Sequence, residues 1–126
     1  MDGEIAKRML SEDPFSRWLG IEIIAAKQGY AKLRMKLRSD MMNSMNVAHG
    51  GITYALADTA LAFAMNEYGR LAVSVETSIN HIESLKIGDV LIAETKLDVT
   101  KHKLSFALVY VYNADKLVAL FKGSLY

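Results

Sequence analysis

The sequence predicts an α+β fold in which an antiparallel sheet of about six strands covers one central helix. Residues 49–69 open with His49, Gly50 and Gly51 and continue as about five turns of helix that is apolar on nearly every side, which is typical of a buried helix. From Ile21 onward, apolar and polar residues alternate with a period of two on both sides of that helix, as they do in strands. Short turn signals separate these strands, so we expect neighbours along the chain to pair antiparallel.

Composition limits the class of protein. A chain of 126 residues with 52% hydrophobic content is expected to form a single domain, residues 1–126, with a proper core. A net charge of +1 argues against a nucleic-acid-binding protein. The absence of cysteine excludes disulfides, thiolate metal sites and cysteine nucleophiles. With no signal segment and no apolar run of about 18 residues, we expect a cytoplasmic protein that does not enter a membrane.

The first 19 residues are expected to form a helical cap over the core without a chemical role. Asp13 and Pro14 predict the start of a second short helix, with an acidic N-cap and proline in the first turn. Gly20 is the expected terminator of that helix. Its expected buried residues are Phe15, Trp18 and Leu19.

The predicted strands begin with a hairpin. Residues 21–27 and 30–37 flank Gln28 and Gly29, a short turn signal. The later strands are expected at 72–82, 90–99, 104–112 and 117–125. In the second strand the apolar residues alternate with four cations, which are Lys32, Arg34, Lys36 and Arg38. A solvent-facing strand explains this row, and so would a site for ligand phosphates.

Asp58 is the exception in the central helix, because alanines surround it at positions 55, 57, 60 and 62. It is either a solvated or paired carboxylate, or a buried one with a raised pKa and a chemical role. The start of the helix favours the second interpretation. Free N–H groups at Gly50 and Gly51 would attract negative charge. Asp58 follows Gly51 by seven residues, about 10 Å along the axis, so the two can flank a carbonyl group on one face.

Several segments together resemble a known family. Asn43 precedes His49-Gly50-Gly51 by six positions, and Asp58, within ALAD, follows His49 by nine. SVETSIN at 74–80, IGDV at 87–90 and VALFKG at 118–123 match the strands and a turn after the helix. From about residue 20 onward, the chain resembles the hotdog-fold thioesterases of the phenylacetic-acid-degradation type. The resemblance implies a hotdog fold, an antiparallel sheet wrapped around one helix.

The resemblance also implies an activity and roles for residues. Members hydrolyse acyl-coenzyme A thioesters, so it implies that Asp58 acts as general base or nucleophile. The Gly51 amide would donate to the oxyanion, together with that of Gly50. Asn43 would hold the thioester or water, and His49 would orient the thioester. The resemblance also implies that Ser74 would position water from the partner subunit. Gly50 and Thr59 are the residues expected to contact substrate.

The residue types agree with that chemistry. Thioester hydrolysis needs a base or nucleophile and donors for the oxygen that becomes negative. Without cysteine, and without serine in a nucleophile elbow, the carboxylate is the remaining candidate. His49, His81 and His102 lack metal-ligand spacing, so no metal or other cofactor is expected.

Two departures from the family pattern affect the loops beside the helix. Ser44 stands where relatives commonly have glycine after the asparagine. Residues 81–85, HIESL, replace an aromatic residue followed by a basic residue and proline. The added Glu83 weakens any inference about how that turn contacts coenzyme A.

Three alternatives remain beside the thioesterase. A hotdog acyl-CoA hydratase would carry an aspartate and histidine about five residues apart, whereas His49 and Asp58 are in the opposite order and farther apart. A non-catalytic acyl-CoA-binding module would tolerate a neutral residue at 58. A purely structural subunit gives no reason for the acid. Relatives form homodimers or homotetramers with sites at the interface, which the exposed sheet edges also favour here.

Overall fold

The structure, a computed structural model, describes residues 1–126. One helix lies at the centre and six strands form one sheet, as the sequence predicts. The helices are α1 (Glu4–Ser11), α2 (Pro14–Leu19) and the central α3 (Gly50–Asn66), with a 3-10 turn at Ser39–Met41. The strands are β1 (Glu22–Lys27), β2 (Tyr30–Lys36), β3 (Ser74–His81), β4 (Val90–Lys101), β5 (Leu104–Asn113) and β6 (Lys116–Leu125). None of the helices is long and apolar enough to cross a membrane.

The sheet has the order β1-β2-β4-β5-β6-β3, and every neighbouring pair is antiparallel. Only β3 departs from sequence order, because the chain crosses the inner face of the sheet as α3 before β3 pairs with β6. One long edge of β3 is therefore left without a partner strand in the chain. An open edge of this kind offers unpaired backbone donors and acceptors to another chain.

The inner face of the sheet packs against α3. In β2 the predicted alternation holds, since Ala31, Leu33 and Met35 are fully buried. Gly123 of β6 lies under α3, and a Cβ at this position would overlap the side chain of Leu61. The absence of a side chain at Gly123 lets the helix approach the sheet closely.

One stripe of α3 is not covered, contrary to the expectation that the chain surrounds the helix. Ala55, Asp58, Thr59 and Ala62 are only half-buried, although the opposite side of the helix is fully buried. The six strands curve around one side of the helix only, so this stripe faces away from the sheet.

The second helix starts as predicted but buries less than predicted. Oδ1 of Asp13 accepts a hydrogen bond from the Ser16 N–H at 3.1 Å, which confirms the N-cap. Leu19 is fully buried, but the prediction for Phe15 and Trp18 is wrong because they are 54% and 48% exposed. A helix of six residues presents too little surface to bury three large side chains. The two rings instead stack on each other, with centroids 6.1 Å apart.

The carboxylate of Glu67 joins the start of α1 to the end of α3. It accepts hydrogen bonds from the N–H groups of Gly3 at 2.8 Å and Ala6 at 2.6 Å, and Glu67 is only 7% exposed. A carboxylate at a helix N-terminus satisfies unpaired donors and interacts favourably with the helix dipole. The N-terminal segment is thereby attached to the central helix.

The cations of β2 lie on the outer face of the sheet, away from α3. Arg34 pairs with Glu22 at 2.5 Å, and Lys32 is in register with Glu94. Glu94 also accepts a hydrogen bond from the Tyr30 hydroxyl at 2.5 Å. Burial, together with this bond, raises the pKa of Tyr30 to about 12, and the same bond lowers the pKa of Glu94. Because the row faces solvent and is partly ion-paired, a solvated strand face accounts for it.

Candidate active site

The first turn of α3 is held by His49 as its N-cap. Its Nδ1 atom accepts a hydrogen bond from the Gly51 N–H at 2.9 Å, and its carbonyl oxygen accepts from Ile52 at 3.0 Å. The N–H of Gly50, the first residue of the helix, has no acceptor within the chain. The helix dipole and this free N–H make the position favourable for a developing negative charge.

The hydrogen bond to His49 also determines which ring nitrogen can donate. Because Nδ1 accepts, the proton of the neutral imidazole lies on Nε2. The side chain is exposed and makes no other hydrogen bond within the chain, so this N–H is free to bind a ligand. The structure thus places one amide donor and one imidazole donor at the start of α3.

Asn43 organises the loop that leads to the helix. Its Oδ1 atom accepts from the N–H of Met45 at 2.9 Å and of Val47 at 3.3 Å. Its own N–H donates to the Val47 carbonyl at 2.8 Å. The side-chain nitrogen makes no hydrogen bond within the chain and remains available as a donor. The backbone N–H of His49 donates to the carbonyl oxygen of Met41 at 2.9 Å, which connects the loop to the start of the helix.

Asp58 lies on the same face of α3 as Gly51, two turns along the helix. The carboxylate is half-buried and forms no hydrogen bond or ion pair within the chain. Burial raises its pKa above the usual range for aspartate. Asp58 is therefore an unpaired and partly desolvated carboxylate. A raised pKa makes a carboxylate a stronger base at neutral pH.

Tyr54 lies one turn before Asp58 and holds α3 against the edge strand. Its hydroxyl forms a short hydrogen bond with that of Thr77 on β3, and its ring makes a T-shaped contact with Phe121, with centroids 5.3 Å apart. Residues four apart lie on one face of a helix, so Tyr54 and Asp58 are neighbours on the surface of α3.

Two of the predicted site residues, Ser74 and Thr59, do not lie at the start of α3. Ser74 begins β3, whereas His81, at the other end of that strand, contacts Gly50. Ser74 and His81 are seven positions apart, about 23 Å along a strand, so one chain does not bring Ser74 to the start of α3. The hydroxyl of Thr59 donates to the Ala55 carbonyl at 2.7 Å, which places it on the exposed stripe beside Asp58.

His81 was not among the predicted site residues. A Cβ atom placed on Gly50 would lie 3.1 Å from Nε2 of His81, so the ring packs directly against the first residue of α3. The signal in the sequence was its position at the departure from the family pattern at the end of the strand. The contact with Gly50 could not be predicted from the sequence, because the two residues are 31 positions apart.

Cavities adjoin both ends of α3. The one at the start has a volume of about 290 Å³ and is lined by Val47, Ala48, Gly50, Thr53, His81, Ile82, Glu83, Ser84 and Leu85. The one at the far end has about 340 Å³ and is lined by Met65, Tyr68, Arg70, Leu71, Ala72, Thr100, Lys103, Ser105, Leu125 and Tyr126. In the turn between β4 and β5, Lys103 lines this second cavity, whereas its basic neighbours Lys101 and His102 do not.

Comparisons with known proteins agree with the geometry. Residues 45–119 match the family model described as the thioesterase superfamily. A provisionally described esterase of Archaeoglobus fulgidus is 40% identical over 94% of this chain and 77% of its own length. The acyl-coenzyme A thioesterase PaaI of Escherichia coli is 34% identical over 94% of this chain and 85% of its own length.

Among solved structures, the Escherichia coli PaaI protein from the phenylacetic acid degradation operon superposes with a TM-score of 0.92 at 32% identity. The match covers 96% of this chain and 88% of that protein. The predicted hotdog fold, with its antiparallel sheet around one helix, is therefore confirmed.

Proposed function

This chain belongs to the thioesterase superfamily, and we propose that it hydrolyses acyl-coenzyme A thioesters to a free acid and coenzyme A. The name of the relative PaaI supports the substrate class. The observation that carries the proposal is the unpaired, half-buried carboxylate of Asp58, on the face of α3 that also bears the amide of Gly51. The whole chain, residues 1–126, is proposed as the catalytic domain, with residues 1–19 as its helical cap.

Asp58 supplies the base or the nucleophile. As a base, its carboxylate takes a proton from water while the water oxygen attacks the thioester carbon. As a nucleophile, its oxygen attacks that carbon and water then cleaves the resulting anhydride. In both routes the C–S bond breaks and the sulfur leaves with its electron pair and gains a proton. The raised pKa of Asp58 favours proton transfer at neutral pH.

The amides at the start of α3 stabilise the oxygen that becomes negative. The Gly51 N–H must exchange its hydrogen bond with His49 for one with this oxygen, whereas the Gly50 N–H is already free. Loss of one such donor in a comparable site costs about 10²- to 10³-fold in rate. The donors Nδ2 of Asn43 and Nε2 of His49 hold the thioester or the water beside them. Thr59, next to Asp58, contacts the substrate.

Ser74 acts in the site of a partner subunit. Val75 on the open edge strand β3 is 63% exposed, and Val73, just before the strand, is 56% exposed. If two β3 strands pair antiparallel, the start of one strand lies beside the end of the other, which brings Ser74 of one chain near His81 of the other. Since His81 contacts Gly50, the Ser74 hydroxyl would reach the start of the partner's α3. We therefore propose a homodimer, or a homotetramer of such dimers, with shared sites.

The first experiment measures thiol release from short, medium, long and aryl acyl-coenzyme A thioesters. Wild type is compared with Asp58→Asn and with the control Asp115→Asn, whose side chain is exposed in the turn between β5 and β6. Asp58→Asn should lose about 10³-fold or more in kcat, because the neutral amide is neither a base nor a nucleophile. The control should keep the wild-type rate.

Either of two results would reject the proposal. Full activity of Asp58→Asn would exclude the carboxylate from the reaction. If no variant releases thiol but the acyl-coenzyme A compounds raise the melting temperature of wild type and Asp58→Asn alike, the protein is a binding module.

A further inference from the structure

We propose that His81 donates a hydrogen bond from Nε2 to the thioester carbonyl oxygen, beside the Gly50 amide. This inference rests on the thioester site proposed above and adds a residue to it. His81 ends β3 and its ring lies against the first residue of α3, so its role depends on where the imidazole lies.

The distance between the two donors suits a shared acceptor. A Cβ on Gly50 would lie 3.1 Å from Nε2 and 3.4 Å from Cε1 of His81. Because that Cβ would be about 2.5 Å from the Gly50 nitrogen, the two nitrogens are at most about 5.6 Å apart. Two donors can reach one oxygen, each at about 2.9 Å, when they are less than about 5.8 Å apart. The separation of the two nitrogens therefore permits one carbonyl oxygen to accept from both.

The imidazole of His81 is free to make this bond. It forms no hydrogen bond or ion pair within the chain, and the nearby Glu83 carboxylate pairs instead with Lys116 at 3.2 Å. A neutral imidazole carries one N–H donor, and no internal acceptor holds that proton on Nδ1.

A ligand can reach both donors from the same space. His81 is exposed and lines the cavity of about 290 Å³ to which Gly50 and Thr53 also contribute. The backbone of His81 is in register with Ala119 on β6, so the strand holds its Cα in place. Only two side-chain torsions then orient the ring, which limits the entropy lost when the bond forms.

The proposed bond matters most in the tetrahedral state. As water or Asp58 attacks the carbon, the π electrons of the carbonyl move onto its oxygen, and the hydrogen bond from His81 strengthens with that charge. His81 keeps its proton throughout, so it adds no step to the reaction. A donor that acts mainly in the transition state raises kcat more than it lowers KM.

Three variants separate hydrogen bonding from packing. His81→Phe keeps a flat ring but removes the N–H, and we expect kcat to fall about 10- to 100-fold with KM within about 3-fold. His81→Gln places an N–H at a similar distance from the backbone and should recover part of the loss. His102→Asn, in the turn between β4 and β5, is the control, because asparagine tolerates the positive φ of 58° there. Wild-type kcat in His81→Phe would overturn the inference.

Binding of two coenzyme A analogues provides a readout independent of turnover. One is a thioether without a carbonyl, and the other is a ketone in which methylene replaces sulfur. Wild type should bind the ketone more tightly than the thioether, and His81→Phe should lose that preference while His81→Gln keeps part of it. Equal preference in wild type and His81→Phe would reject the role of His81.

The two proposals can therefore fail separately. If wild type releases no thiol but the preference for the ketone depends on His81, hydrolysis is rejected and the His81 contact stands. If wild type is active and His81→Phe matches it in kcat and in analogue binding, hydrolysis stands and the His81 contact is rejected. Thermal unfolding verifies that each variant is folded. If His81→Phe does not fold, the conclusion is drawn from His81→Gln.

Discussion

The backbone N–H of Gly51 donates to Nδ1 of His49 across 2.9 Å. One imidazole therefore caps the central helix with Nδ1 and presents Nε2–H to the site. The same bond occupies the amide that the family resemblance assigns to the oxyanion. His49 thus both caps the helix and presents a donor to the site, and substitutions can test these two roles separately.

We expect His49→Asn and His49→Ala to differ in stability but not in activity. Asparagine is among the best N-cap residues, so His49→Asn should change the free energy of unfolding by less than about 0.5 kcal/mol. His49→Ala should lose about 1 kcal/mol. Both remove the imidazole donor and should lower the rate. Urea unfolding and thiol release test this, and full activity of His49→Asn would limit His49 to capping.

Asp58→Asn should make the protein more stable at neutral pH. Burial raises the pKa of Asp58 in the folded state, so the folded protein holds this proton more tightly than the unfolded chain. Ionisation at higher pH therefore costs stability, and the cost is absent below about pH 4, where both states are protonated. The gain in Asp58→Asn should appear as pH rises and vanish below about pH 4. Urea unfolding from pH 3 to 8 tests the trend, with Asp115→Asn as the control, and a gain that does not vary with pH would contradict it.

Mixing two inactive or impaired variants should restore activity if Ser74 acts across the interface. Asp58→Asn and Ser74→Ala chains that pair at random give about half mixed dimers, each with one intact site, so about a quarter of wild-type activity should return. Co-expression with two affinity tags isolates the mixed dimers, whose thiol release is then measured. Activity no greater than the average of the two parents would show that Ser74 does not complete its partner's site.

Glu67→Ala should release the start of α1 and destabilise the protein by about 2 to 3 kcal/mol, because two helix N–H groups lose their charged acceptor. Glu67→Gln keeps an oxygen acceptor and should cost less. Hydrogen exchange of residues 3–11 should accelerate in Glu67→Ala but not in the control Glu12→Ala, whose side chain is exposed. Unchanged protection would mean that α1 is held by packing alone.

Tyr30→Phe should lose stability at neutral pH and much less of it in acid. The Tyr30 hydroxyl donates to Glu94 at 2.5 Å and lowers the pKa of that carboxyl in the folded state. A carboxyl whose pKa is lower in the folded than in the unfolded state stabilises the protein at pH values above the unfolded pKa. This stabilisation is lost as the pH falls. The difference from wild type should be about 1 kcal/mol at pH 7 and should shrink below about pH 4. A difference that does not depend on pH would indicate lost packing only.

The sequence alone predicts the elements well where the determining residues are close together. Three features depend only on residues that are close in sequence: the alternation in β2, the cap at Asp13 and the helix start at His49. The spacing of Gly51 and Asp58 on one face also follows from the helical repeat. Backbone geometry and side-chain periodicity are local properties, so local sequence determines them.

Only the tertiary structure decided which distant residues meet. It exposes Trp18, unites Glu67 with Gly3, and sets His81 rather than Ser74 against Gly50. Each outcome depends on strand order and on how α3 crosses the sheet, which carries β3 to the far edge. The sequence determined that an acid and a helix start share one face. The tertiary structure determined that the half-buried acid has no partner and that His81 contacts Gly50, because such contacts depend on elements far apart in the chain.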